Sequence, residues 1–200
     1  MRTLLFLAGS SLRGSVNTRL SAAASELVRS EFTDKLHVDE VDLMTYDLPS
    51  INPDEIDHAS LQALAEAFAK ADGFFISADE YTGAFSTQFR LAMNWLILCE
   101  TEKRPLISQK PAALVGAAPI GVGGMRGLPA IRYLLDAAGM EVISQQIRQG
   151  TRGGPVAPDG KLTEVAATQL LEGALGEVLL RLVPSRGSVS YSPSVGQNLA

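Results

Sequence analysis

The sequence predicts an α/β domain in which a parallel β-sheet is covered by helices on both faces. Three observations carry this expectation. Four short runs are predominantly apolar: "TLLFLA" (3–8), "GFFISA" (73–78), "PAALVGAA" (111–118) and "MEVIS" (140–144). Such runs suit parallel strands buried on both sides. Helical periodicity fills the stretches between them, so strand and helix alternate five times, the order that builds a three-layer α/β domain. The length, 200 residues of which 46% are hydrophobic, is that of one domain able to bury roughly 70% of its unfolded-chain surface.

The first strand, 3–8, leads into a helix over 16–30, with Leu20, Ala23, Ala24, Leu27 and Val28 at helical spacing. A more polar run, "KLHVDEVDL" (35–43), reads as a strand at the sheet edge, where charge is common. Residues 57–71, with Leu61, Leu64, Ala65 and Phe68, predict the next helix, which delivers the chain to 73–78. The helix over 86–100 carries Phe89, Ala92, Met93 and Leu96 and leads to 111–118. Residues 128–138, with Ile131, Leu134 and Leu135, connect that strand to 140–144, and a last helix rich in Leu and Ala spans 162–183. Right-handed crossovers restrict the topology. A flavodoxin-like sheet in the order 2-1-3-4-5 fits five strands, and half of a Rossmann fold is the competing arrangement. The domain is expected over 1–183. From Pro184 the chain turns rich in Ser, Gly and Pro, so 184–200 reads as a loose extension or a segment packed on a partner subunit.

Composition removes several function classes. A net charge of −5 argues against a general nucleic-acid footprint. The single cysteine, Cys99, rules out an internal disulfide framework and a Cys-rich metal site, and its apolar context "NWLILCE" reads as a buried inert thiol. His37 and His58 lie far apart without ligand-spaced companions, so no metal is expected. Asp54, Glu55 and Asp57 read as solvated acids favoured by a helix start. The first ten residues are too short an apolar run for a signal peptide, and no stretch reaches membrane-spanning length. A cytoplasmic setting is the expectation.

The chemistry-bearing segments are the loops that follow strands. "GSSLRGSVN" (9–17) follows the first one and combines three serines, an asparagine, two glycines and an arginine. Ligands of doubly wound sheets bind beyond the carboxyl ends of the strands, where strand order reverses. Unpaired N–H groups and the helix dipole favour an anion at the following helix start. Ser10, Ser15 and Asn17 can add donors, Arg13 a positive charge, and Gly9 and Gly14 room for close backbone approach. The loop matches neither G-x-x-x-x-G-K-[ST] nor G-x-G-x-x-G. A plain polar turn, with Ser15 or Asn17 capping the helix, remains an equal alternative at this point. The third strand ends at "ISADEYTGAFSTQFRLAMNWL" (76–96), where "EYTG" sets an acid, an aromatic, a hydroxyl and a glycine that offer edges and backbone to a planar ring. The plainer alternative is a β-turn into a helix.

Together these loops resemble the NADPH-dependent FMN reductase family. That family opens with a strand and G-S-x-R-x-x-S-x-N. Gly9, Ser10, Ser15 and Asn17 match it in type and spacing, and Arg13 stands one position later than the family's arginine. The second motif resembles P-E-Y-N-G-S-x-P-x-x-L-K-N-A-x-D-W. Glu80, Tyr81, Gly83, Ala92 and Trp95 match, Phe89 and Arg90 are conservative changes, and Asp79, Thr82 and Asn94 replace Pro, Asn and Asp. Residues 110–144 look like the family's fourth strand, glycine-rich loop "GVGG" (121–124), helix and fifth strand, and "DGKL" (159–162) is typical before the last helix. The resemblance covers residues 1 to about 183.

The resemblance implies a flavodoxin-like FMN enzyme with chemistry on the flavin and no catalytic side chain. It implies cofactor contacts from Ser10, Arg13, Ser15, Val16 and Asn17, from Glu80, Tyr81, Thr82 and Gly83, and from Gly121, Gly123 and Gly124. NADPH or NADH would be the hydride donor, with Arg13 and Arg126 the nearby cations for a 2′-phosphate. A flavin, quinone, azo or nitro compound, or metal oxyanion would be the acceptor, the two substrates using one flavin face in turn. A homodimer or homotetramer is implied as well, with Arg90, Trp95 and the "WLILC" run as candidate contacts. The alternatives are an electron carrier or flavin-binding module without nicotinamide activity, and a phosphate-ester-binding α/β protein of another kind.

Overall fold

The computed structural model describes residues 1–32, 34–80, 83–118, 126–150 and 155–183. Its strands are β1 (Arg2–Ala8), β2 (Leu36–Asp42), β3 (Gly73–Ser77), β4 (Pro111–Ala118) and β5 (Glu141–Gly150). They form one sheet in the order β2-β1-β3-β4-β5, with every pair parallel. This is the predicted flavodoxin-like order. The segment expected to be a loose tail, 184–200, lies outside the described residues.

Side-chain alternation along β1 divides the core in two. Leu5 and Leu7 join one cluster with Leu61, Leu64 and Phe68, Phe89 and Met93, and Ile131 and Leu135. Leu4 and Phe6 join the other with Leu20, Ala24 and Val28 and with Leu175 and Val178. All four β1 residues are fully buried, each burial stabilising by about 1.5–3 kcal/mol. Helices α2 (Ala59–Lys70), α3 (Thr87–Cys99) and α4 (Gly127–Ala137) therefore cover one face, and α1 (Val16–Phe32) covers the other beside the final helical segments. The polar strand β2 lies at an edge, as its charge predicts.

Two elements depart from expectation. Strand β5 runs to Gly150, well past 144, and its register against β4 shifts between Ala112 and Leu114. It is the other edge, where a polar sequence can keep its backbone pairing. The last helix is not continuous: α5 (Glu164–Gln169) and α6 (Gly176–Leu182) flank a π-helical turn over Leu170–Leu175. Gly173 and Gly176 weaken an ordinary helix there. The wider turn keeps Leu170, Ala174, Leu175 and Val178 in the core.

Helix α3 also revises two readings. Trp95 was a candidate for contact with a second subunit, but it is fully buried in its own chain and its indole N–H donates to the Pro49 carbonyl at 2.8 Å. The residues that the "WLILC" run exposes are Ile97 and Leu98. Cys99 is half-buried rather than enclosed, and burial pushes its thiol pKa up, partly opposed by Arg104.

Candidate functional site

The carboxyl ends of β1 and β3 bring the first and second loops together. Pairing continues past both strands: the Gly9 N–H donates to the Ser77 carbonyl at 2.9 Å, and the Ala78 N–H to the Val115 carbonyl at 3.0 Å. Ser86, the N-cap of α3, accepts from the Phe89 N–H at 3.1 Å and donates to the Gly9 carbonyl at 2.9 Å. Gly9 serves this packing, since a Cβ there would come within 2.7 Å of the Phe89 ring.

Along the first loop, Ser15 is the cap of α1. Its hydroxyl accepts from the Thr18 N–H at 3.0 Å, one turn into the helix. Gly14 turns the chain at φ +64°, a left-handed conformation that glycine adopts without steric cost. Arg13 is exposed, and no described residue pairs with its guanidinium. Nor does any described residue accept from the backbone N–H groups of Val16 and Asn17. A cation therefore stands beside open donors at a helix start.

The side chains of Ser10 and Asn17 are already occupied. Asn17 is fully buried. Its Nδ2 donates to the Ala117 carbonyl at 2.8 Å and to the Asp79 carboxylate; its Oδ1 accepts from the Ser77 hydroxyl at 3.0 Å and the Ala117 N–H at 2.9 Å. One amide thus pins α1 to the ends of β3 and β4. Ser10, 1% exposed, accepts from the Leu12 N–H at 3.0 Å and donates to the other oxygen of Asp79. Asp79 is the site residue that sequence reasoning passed over. Its signal was an acid directly after a buried strand, where the family motif has proline.

Glu80 faces the fourth-strand loop. One of its oxygens accepts from the backbone N–H groups of Arg126 at 2.9 Å and Gly127 at 3.2 Å, and the other from Arg126 Nε at 2.8 Å. Gly127 makes room for it, since a Cβ there would lie 3.1 Å from that of Glu80. The Arg126 N–H foremost, with the Gly127 N–H and the guanidinium, holds the Glu80 pKa below its ordinary value against the opposing effect of burial. A depressed folded-state pKa contributes stability above the unfolded value and loses it as pH falls through the folded one. Replacing Glu80 by Gln is therefore expected to lower the melting temperature near neutral pH. The difference from the unchanged protein should fade as the pH falls through and below the carboxylate range. Thermal unfolding across that range checks it, and a constant difference would contradict the charge-based account. Arg126, a candidate for a 2′-phosphate, already has this carboxylate partner.

Gly83 is left-handed at φ +84° with open space where a Cβ would stand. Tyr81, Thr82, Gly121, Gly123 and Gly124, the expected ring contacts, lie outside the described residues. Away from these loops, at the amino-terminal ends of the strands, a cleft is lined by Ile97, Glu100, Pro105 and Ala138. Burial pushes the Glu100 carboxyl up there, and bonds from Ser108 and the backbone N–H groups of Ile107, Ser108 and Leu106 more than offset it. Glu100 thereby closes the turn before β4.

The model of the NADPH-dependent FMN reductase family matches residues 1–150. The chain belongs to that family. Its cofactor is FMN and its co-substrate NAD(P)H, which makes it an NAD(P)H-dependent flavin oxidoreductase. N–H groups of Val16 and Asn17 without an acceptor, and Arg13 without a partner, among the described residues, are chemically suited to the phosphate end of such a cofactor.

Solved structures share the fold of this FMN reductase. FerB of Paracoccus denitrificans, a flavoenzyme NAD(P)H:(acceptor) oxidoreductase, superposes with a TM-score of 0.71 at 21% identity, covering 89% of this chain and 93% of its own. The apo form of EMOB, an NADH:FMN oxidoreductase, gives 0.63 at 16% identity, covering 93% and 92%. An archaeal flavodoxin gives 0.58 at 13%, covering 91% and 99%. No curated protein matches the chain by sequence. Among the described residues no helix is long and apolar enough to cross a membrane.

Proposed function

We propose that this FMN reductase binds the cofactor phosphate on the first loop, through Arg13, the Ser10 and Ser15 region and the α1 N–H groups of Val16 and Asn17. The ring would then lie against residues 80–83 and 121–124. The observation that carries this reading is the unpaired Arg13 beside a helix start whose first N–H groups have no acceptor among the described residues. Bound FMN supplies the hydride relay between nicotinamide and acceptor. The chain supplies one site at the strand ends, formed where two loops are fastened by Ser86 and Asn17. Residues 1–183 form the catalytic domain in this reading, 184–200 an extension, and the setting is cytoplasmic. Two copies pair through the face that exposes Ile97 and Leu98.

Sharing that site, donor and acceptor would take turns. Initial rates at varied NAD(P)H and quinone concentrations are expected to give parallel double-reciprocal lines, the ping-pong pattern. Intersecting lines would mean that both substrates occupy the protein together, and would refute the shared site. A flavin, quinone, azo or nitro acceptor is the class to test. Running the assay with NADPH and NADH in parallel reads the nicotinamide preference directly.

A further inference from the structure

We infer that Asp79 is a resident anion in the first loop and limits how strongly the protein prefers a phosphorylated flavin. The inference rests on the cofactor phosphate lying at residues 9–17. Asp79 sits at the end of β3 and reaches across to the loop after β1. One carboxylate oxygen accepts from the Ser10 hydroxyl, the other from Asn17 Nδ2. Both donors belong to the segment that would surround the phosphate. A hydroxyl has one proton, so Ser10 cannot donate to Asp79 and to a phosphate oxygen together. The carboxylate is held by the loop that would take the phosphate, and two anions in one partly buried site would oppose each other. Ser10 is 1% exposed and Asn17 fully buried, so the two donors that hold the half-buried Asp79 carboxylate are themselves shielded from water. Among the described residues no cation pairs with Asp79. Arg13, the cation of the first loop, is exposed and pairs with no described residue. The ribityl chain and ring, which carry no such charge, are indifferent to the carboxylate.

Asparagine is the informative replacement. In Asp79→Asn the new Oδ1 still accepts from Asn17, and the new Nδ2 donates to Ser10 Oγ. The Ser10 proton is thereby freed from the carboxylate, and the ligand competes for it only with the Leu12 carbonyl, a long contact at 3.3 Å. Dissociation constants for FMN and riboflavin, from flavin-fluorescence titration of the full chain stripped of cofactor, read the effect. The preference for FMN over riboflavin is expected to rise by about tenfold or more in Asp79→Asn, with riboflavin affinity changed by less than about threefold. Asp79→Ser, also neutral, is expected to shift the preference the same way. An unchanged or reduced preference in a folded variant overturns the inference. Loss of folding in both variants also overturns it, because the carboxylate would then be a structural clamp. Arg13→Ala separates the two readings. If it lowers FMN preference while Asp79→Asn leaves it unchanged, the phosphate site stands and only the role of Asp79 falls.

Discussion

Replacing Asn17 by alanine is expected to destabilise the protein more than any other single change at the site. The substitution removes four hydrogen bonds and leaves the Ser77 hydroxyl and the N–H and carbonyl of Ala117 without partners in the interior. Each orphaned group costs about 1–3 kcal/mol, so a loss of about 3–5 kcal/mol follows after partial relaxation. For a chain of this length that corresponds to a melting temperature lower by roughly 10 °C. Asn17→Asp is the companion variant: it keeps an acceptor but sets a second carboxylate against Asp79, and is expected to be no more stable than the alanine form. Denaturant unfolding checks both. A loss below about 1 kcal/mol for the alanine variant would show that the strand ends hold without the amide.

The second large effect is on binding. Arg13→Ala is expected to weaken FMN by about tenfold or more, since one charge-assisted bond to the phosphate is worth about 1.5–3 kcal/mol. Riboflavin, which lacks the phosphate, should be nearly unaffected. Stability should also hold, because Arg13 is exposed and no described residue depends on it. Titrating both flavins against both proteins gives the answer. Equal weakening of the two would place the phosphate away from Arg13, and a lowered melting temperature would give this arginine a structural duty.

The sheet was legible because β1, β3 and β4 lie in its interior and carry nearly unbroken apolar runs, as "TLLFLA" does in β1. Strand β5 was legible only to 144. Beyond that, its backbone pairs with β4 from Gln146 to Gly150, a stretch whose sequence pattern does not mark a strand. The π turn at Leu170–Leu175 left no periodic signal, because the Leu- and Ala-rich composition of 162–183 also fits a straight helix. At the site, the first loop announced itself by its small and hydroxylic residues, and the helix-cap reading of Ser15 is realised in full. The duties of Asn17 and Glu80 could not be read locally. Asn17 is completed by Ala117 and Glu80 by Arg126 and Gly127, none of which is near in sequence. Asp79 was visible only as a departure from a motif, since its meaning lies in Ser10 and Asn17 across the sheet.

The bonds between Asn17 and Ala117 span 100 positions of sequence, and that span imposes an order on biosynthesis. A chain leaving the ribosome presents β1, the first loop and α1 early, yet the amide at the start of α1 has no lasting partners until β4 has emerged. The loop as it stands in the finished fold is expected only once β4 has emerged. Until then β3 offers an unpaired edge with a fully buried-type sequence, "GFFIS", a surface prone to association with other chains. Fragments ending before β4 should consequently need chaperone protection and bind no flavin, whereas fragments that include β4 gain the pin that closes the loop.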